Sequence, residues 1–117
     1  MTKRPKKFDL EDRTLKFAKD VRGLISKLPR TISNTEDSKQ LVRSSVSVGA
    51  NYIEANEALS KKDFAYRIKI SRKESKESVF WLRLLKIDSD LEKVRDGLVK
   101  EATELMKIFS AILRKST

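Results

Sequence analysis

Apolar residues recur at intervals of three and four along most of the chain, a spacing that predicts helices rather than strands. The first predicted helix follows Asp9, a candidate N-cap, and ends by Pro29. Its apolar face comprises Leu10, Phe17, Val21, Leu24, Ile25 and Leu28. Since only three Gly and two Pro residues interrupt the sequence, the pattern indicates an all-α protein.

A second helix is predicted to begin with Asn34 or Thr35 as its cap. Its inward face is expected to comprise Leu41, Val42, Ser45, Gly49, Tyr52, Ile53 and Leu59. The third predicted helix runs from Ser60, which with Asp63 resembles a capping box, to about Ile87. Its core face comprises Phe64, Ile68, Ser71, Ser75, Ser78 and Leu82. The small serines favour close helix packing, with each hydroxyl able to bond to the carbonyl one turn back.

Residues 88–90 predict a short turn before a fourth helix. The apolar positions of that helix match a coiled-coil seam: Leu91, Val94, Leu98, Ala102, Leu105, Phe109 and Ile112. Four helices with short connections predict an antiparallel up-down-up-down four-helix bundle over residues 8–117. Residues 1–7 are predicted to be a flexible basic arm outside this bundle.

The composition of the chain limits the classes of function that it can have. The chain has 27 Lys and Arg against 17 Asp and Glu, a formal net charge of +10, which favours a polyanionic partner. It has no Cys or His, which excludes disulfides, imidazole bases and most transition-metal sites. No apolar run approaches the roughly 20 residues that span a bilayer. The basic N-terminus is not followed by the apolar segment that a secretion signal requires. These features predict a cytoplasmic protein that needs no cofactor.

Positive charge concentrates on one side of the third predicted helix. At about 100° per residue, five side chains share a stripe, here called the basic ridge: Lys62, Lys69, Lys73, Lys76 and Arg83. Residues 61–76 hold seven basic side chains against two acidic ones, whereas ordinary soluble surfaces mix both signs. We expect the ridge to bind RNA or DNA phosphates, although a face that only maintains solubility is the alternative.

Two other features lie near the ridge in the sequence. The basic arm contributes Lys3, Arg4, Lys6 and Lys7 to the predicted nucleic-acid surface. Tyr66 lies beside the ridge and is expected to be partly buried, although an exposed ring there could stack on a base.

A polar cluster is predicted on the second helix, away from its core side. It consists of Arg43, Ser47, Asn51 and Glu54, which recur at intervals of four, four and three. We expect Arg43, Asn51 and Glu54 to form contacts between subunits; a small ligand cleft and an ordinary surface are the alternatives. A metal site using Glu54 with Glu74 and Glu77 is a distant alternative, because oxygen-only sites usually need a tighter acidic cluster.

The last two turns of the third helix, residues 79–85, are apolar nearly all round. A helix in a small monomeric bundle has little reason to be apolar on every side. We therefore expect an apolar patch of Phe80, Trp81 and Leu84 to mediate self-association.

Three ordered segments resemble a known family. They are residues 43–54 (Arg-Ser-Ser-Val-Ser-Val-Gly-Ala-Asn-Tyr-Ile-Glu), 60–64 (Ser-Lys-Lys-Asp-Phe) and 73–85 (Lys-Glu-Ser-Lys-Glu-Ser-Val-Phe-Trp-Leu-Arg-Leu-Leu). From Phe8 to Ser116 the chain resembles bacterial four helix bundle proteins related to those encoded in intervening sequences of 23S ribosomal RNA genes. The resemblance implies an up-and-down bundle, commonly a ring-like homopentamer, with a basic surface, suspected RNA or DNA binding and no established enzymatic activity.

The sequence departs from the family pattern after Glu54. Residues 55–58 (Ala-Asn-Glu-Ala) stand where the family has a Gly and often an Asn-Gly. We therefore expect the second helix to run one turn longer here.

Together these features predict a nonenzymatic, homo-oligomeric accessory protein that binds nucleic acid, RNA before DNA. No membrane partner, metal or small-molecule substrate is expected. Two alternatives remain open: an oligomeric scaffold that binds another protein, and a metal-dependent nuclease that uses Glu54, Glu74 and Glu77.

Overall fold

The computed structural model describes residues 10–116, and within that range the chain forms four α-helices, one short 3-10 helix and no strand. The α-helices are α1 (Leu10–Ile25), α2 (Ile32–Asn56), α3 (Lys61–Leu84) and α4 (Glu92–Ser116), and the 3-10 helix, Ser89–Leu91, precedes α4. The prediction of an all-α chain with four helices is confirmed. The predicted arm, including Lys3, Arg4, Lys6 and Lys7, lies outside the described residues.

Side-chain hydroxyls define the starts of the two central helices. Ser60 accepts a hydrogen bond from the Asp63 backbone N–H at 3.0 Å, as the capping pattern predicts. The predicted cap of α2 was wrong, because Thr31 performs this role and accepts from the Asn34 N–H at 3.0 Å. Asn34 instead lies buried in the first turn of α2.

The buried core draws on all four helices. Its largest fully buried side chains include Phe17, Leu41, Ile68, Leu82 and Phe109. Two residues predicted to face inward from the second helix do not reach this core. Leu59 is 99% exposed because α2 ends at Asn56 and leaves it in the connection to α3, and Ile53 is exposed on the outer side of α2.

Small residues let α2 and α3 approach closely. Ser71, Ser75 and Ser78 are fully buried, which confirms their predicted core position. Only Ser75 bonds to the carbonyl one turn back; the Ser71 hydroxyl donates across to Val48 O at 2.8 Å, and the Ser78 and Ser44 hydroxyls meet at 2.9 Å. The side chains therefore join the two helices directly.

Contacts between helices follow chain order, with α1 against α2, α2 against α3 and α3 against α4, and α1 also meets α4. The α1 and α2 backbones are close at Gly49, where an added Cβ would lie 2.7 Å from Thr14 Oγ1. Between α1 and α4 lies a groove of about 710 Å³, lined in part by Gly23 and Gly97. None of the helices within residues 10–116 has the length and apolar character needed to cross a membrane.

Candidate functional site

The basic ridge lies on the outer surface of α3, because the core face of this helix points the opposite way. Ile68, Ser71 and Ser75 are fully buried on that core face. The ridge residues Lys62, Lys69, Lys73, Lys76 and Arg83 are all exposed. From Lys62 to Lys76 the ridge extends about 21 Å at 1.5 Å per residue, so its exposed lysines lie along one side of the helix.

Most of the ridge lacks a carboxylate counterion within the described part of the chain. Lys73 has a distant contact with Glu74, at 3.8 Å between Nζ and Oε2. No ion pair joins Lys62, Lys69, Lys76 or Arg83 to an acidic side chain among residues 10–116. The positive charge of the ridge is therefore open to an external anion.

Several basic residues on the other helices contact carboxylates. Lys16 contacts Asp20 at 2.6 Å on α1, and Lys39 contacts Glu36 at 3.3 Å on α2. Arg13 of α1 makes two hydrogen bonds to Glu101 of α4, at 2.7 and 2.9 Å. Lys19 on α1 and Lys100 on α4 also lack an ion pair within residues 10–116, so α3 is distinguished by the alignment of its unpaired cations along one face.

Tyr66 is more accessible than the sequence suggested. Its side chain is 60% exposed, so the expectation of partial burial was wrong. The cause is its position on the outer side of α3, one turn from both Lys62 and Lys69. The Arg67 guanidinium carbon lies 5.8 Å from the centre of the Tyr66 ring, which is within cation–π range.

Asn51 connects the polar cluster of α2 to α3. Its Nδ2 donates to Ser47 O at 3.0 Å and to Ser47 Oγ at 2.9 Å, while its Oδ1 accepts from Arg67 Nη1 at 3.0 Å. Arg43 and Glu54 are exposed on the same helix. Arg67 was not predicted to be the partner of Asn51. Its position directly before the core residue Ile68 was the only indication in the sequence that it borders the core side of α3.

Glu74 lies where α3 meets this cluster, and its side chain is only 16% exposed. Burial raises the pKa of the Glu74 carboxyl above its usual value, and the charge of Glu77 raises it further. Lys73 and Arg43 oppose this shift without cancelling it. Within residues 10–116 no three acidic side chains are grouped so that they could hold a metal ion.

The apolar patch occupies the C-terminal end of α3. Phe80 is 56% exposed, Leu84 is 49% exposed and Trp81 is half-buried. The Phe80 and Trp81 rings meet edge to face, with centroids 5.1 Å apart. Because Phe80 follows Lys62 by about five helical turns, it lies on the same side of α3 as the ridge, between Lys76 and Arg83.

The chain is similar to known proteins both in sequence and in structure. The sequence model of the family described as 23S rRNA-intervening sequence protein matches residues 6–111. The chain is also similar to a crystal structure from Bacteroides thetaiotaomicron, described as a protein with unknown function from the S23 ribosomal protein family. That similarity has a TM-score of 0.72 at 28% identity and covers 88% of this chain and 96% of the other. No curated protein sequence matches the chain.

Proposed function

The chain belongs to the 23S rRNA-intervening sequence protein family, and we propose that it is a nonenzymatic, self-associating protein that binds RNA or DNA through the basic ridge. RNA is the preferred partner in this proposal, and the cytoplasm is the proposed location. The arm of residues 1–7 adds four further cations that could reach the same nucleic acid.

The observation that carries the proposal is the unneutralised ridge. Four exposed cations on one face of α3, Lys62, Lys69, Lys76 and Arg83, have no acidic partner among residues 10–116. Keeping like charges aligned without counterions costs free energy through repulsion. A polyanion that binds along α3 would remove this cost and release its own counterions.

The proposed bundle is antiparallel and up-down-up-down. In support of this, residues later in α2 contact residues earlier in α3: Ser44 contacts Ser78, Val48 contacts Ser71, and Asn51 contacts Arg67.

Self-association would multiply the basic ridge. Exposed Phe80 and Leu84, with Trp81 behind them, supply the proposed contact between subunits. The proposed assembly is a homopentamer, in which several ridges act together on one strand.

The polar cluster has a supporting role in this assembly. Asn51 has its amide satisfied within the chain by Ser47 and Arg67, which fixes its orientation. Arg43 and Glu54 remain exposed on the same side of α2 and are proposed to contact the neighbouring subunit.

A charge-removal experiment tests nucleic-acid binding. Changing Lys62, Lys69, Lys73 and Lys76 together to Gln should weaken binding to single-stranded RNA. It should also reduce the slope of log affinity against log salt by about 0.7 for each phosphate that the variant no longer neutralises. A matched control changes the same number of lysines away from the ridge to Gln: Lys16, Lys39, Lys93 and Lys107.

Because both variants lose the same formal charge, the comparison separates the ridge from net charge. The control should retain most of the affinity and slope. Equal losses in the two variants would show that only overall charge matters, and absence of RNA and DNA binding by the native chain at low salt would refute the proposal.

An oligomeric protein-interaction scaffold is the second candidate. It is favoured by further exposed apolar side chains outside the patch on α3, since Leu15 is 53% exposed and Ile53 is 47% exposed. In that case the ridge would serve solubility, and the native chain would bind no nucleic acid.

A further inference from the structure

From the geometry around Tyr66 we infer that its ring is a stacking site for an unpaired base, which makes the ridge selective for single-stranded nucleic acid. The inference rests on the proposed function and adds the class of strand that the ridge accepts. It assigns a role to an aromatic side chain that a purely electrostatic surface would not need.

The position of Tyr66 fits a base between two bound phosphates. Lys62 precedes it by four residues and Lys69 follows it by three, so both side chains neighbour the ring along the helix surface. Both lysines are exposed, and neither has an acidic partner within residues 10–116. A strand whose phosphates contact these lysines would carry its base over Tyr66.

Arg67 is held in place beside the Tyr66 ring. Its guanidinium is held by the hydrogen bond from Nη1 to Asn51 Oδ1, and Asn51 is itself held by Ser47. The same guanidinium lies 5.8 Å from the Tyr66 ring centre. A side chain restrained before binding loses less entropy when a ligand arrives. The ring nevertheless stays 60% exposed, which leaves area for a base to cover.

Stacking on Tyr66 requires an unpaired base. In a duplex each base is already stacked between its neighbours, so its aromatic face is not available to Tyr66. Every base has an aromatic face, so the site would tolerate many sequences. The lysines would contribute salt-dependent affinity, and the ring would contribute the preference for single strands.

The test uses the full-length chain with a short fluorescent oligouridylate, either free or annealed to oligoadenylate, at several salt concentrations. Tyr66→Leu should weaken binding to the free strand roughly 5- to 150-fold, the range for losing one stacked base. Binding to the duplex and the salt slope should not change, because no charge is removed. Tyr66→Phe keeps the ring and should bind the free strand as the native chain does.

Three results would overturn the inference. Equal binding of the free strand by Tyr66→Leu and the native chain, with the lysine-dependent slope intact, would refute stacking while leaving the proposed function standing. A change of assembly mass in Tyr66→Leu would assign the ring to a subunit contact instead. Failure of the native chain to bind either form would refute both proposals.

Discussion

Asn34 is the buried polar residue that joins two connections of the bundle. Its side chain donates to Pro29 O at 3.0 Å and to Lys86 O at 2.7 Å, and it accepts from the Lys86 N–H at 2.8 Å. It therefore links the segment before α2 to the segment after α3. Only an amide offers both donors and an acceptor in this geometry.

Asn34→Ala should destabilise the fold by about 2 to 4 kcal/mol, because it leaves several backbone groups without partners in a buried place. Asn56→Ala is the matched control, since Asn56 makes one exposed hydrogen bond, to Glu11. The control should change stability by less than about 0.5 kcal/mol. Chemical denaturation of both variants provides the comparison, and similar losses would contradict the role given to Asn34.

The raised pKa of the Glu74 carboxyl makes the stability of the fold depend on pH. A carboxyl whose pKa is raised by folding stabilises the folded chain when it is protonated, and this contribution is lost as pH rises through the folded-state pKa. Glu74→Gln removes the charge and should raise the denaturation midpoint at pH 7. The difference should vanish near pH 3, where the carboxyl is neutral in both states. A lower midpoint for the variant at pH 7 would show that the carboxylate is stabilising there.

At the scale of elements, glycines in the helices have opposite roles. A Cβ at Gly49 would lie 2.7 Å from Thr14 Oγ1 and 3.0 Å from Thr14 Cβ, whereas a Cβ at Gly97 would meet nothing within 4 Å. Gly49 therefore permits the close approach of α1 to α2. Gly97 faces the groove between α1 and α4, where the helices pack less extensively than α2 and α3 do.

Gly97→Ala should stabilise the chain by up to about 1 kcal/mol, because alanine favours the helix and no clash opposes it. Gly49→Ala receives the same gain but must push α1 away, which typically costs about 1 to 3 kcal/mol. Thermal unfolding should therefore move in opposite directions for the two variants. A stabilised Gly49→Ala variant would show that α1 shifts without cost.

The helices could be predicted because each has a continuous apolar stripe, and Ser60 with Asp63 marks the start of α3. The start of α2 could not, since Thr31, Asn34 and Thr35 are all plausible caps and only the tertiary bonds of Asn34 decide among them. The basic ridge could be predicted from the helical spacing of its basic residues alone. The Asn51–Arg67 bond joins residues on different helices, and its register depends on how α2 and α3 pack.

At the scale of the whole molecule, the exposed end of α3 predicts self-association. Phe80→Glu places a charge in the apolar patch and should shift the assembly toward smaller species, while helical content stays largely intact. Leu59→Glu is the control, because Leu59 is 99% exposed in a connection and should tolerate the same change. Sedimentation at micromolar concentration with circular dichroism gives both readouts. Equal sedimentation of the two variants would place the contact elsewhere.

We propose that one assembly of several chains binds nucleic acid through repeated ridges. A mass measurement in native buffer, before and after addition of single-stranded RNA, tests both parts of this proposal. The proposal predicts a multiple of the single-chain mass that gains the mass of RNA at low salt and loses it at high salt. A single-chain mass that RNA does not change would contradict it.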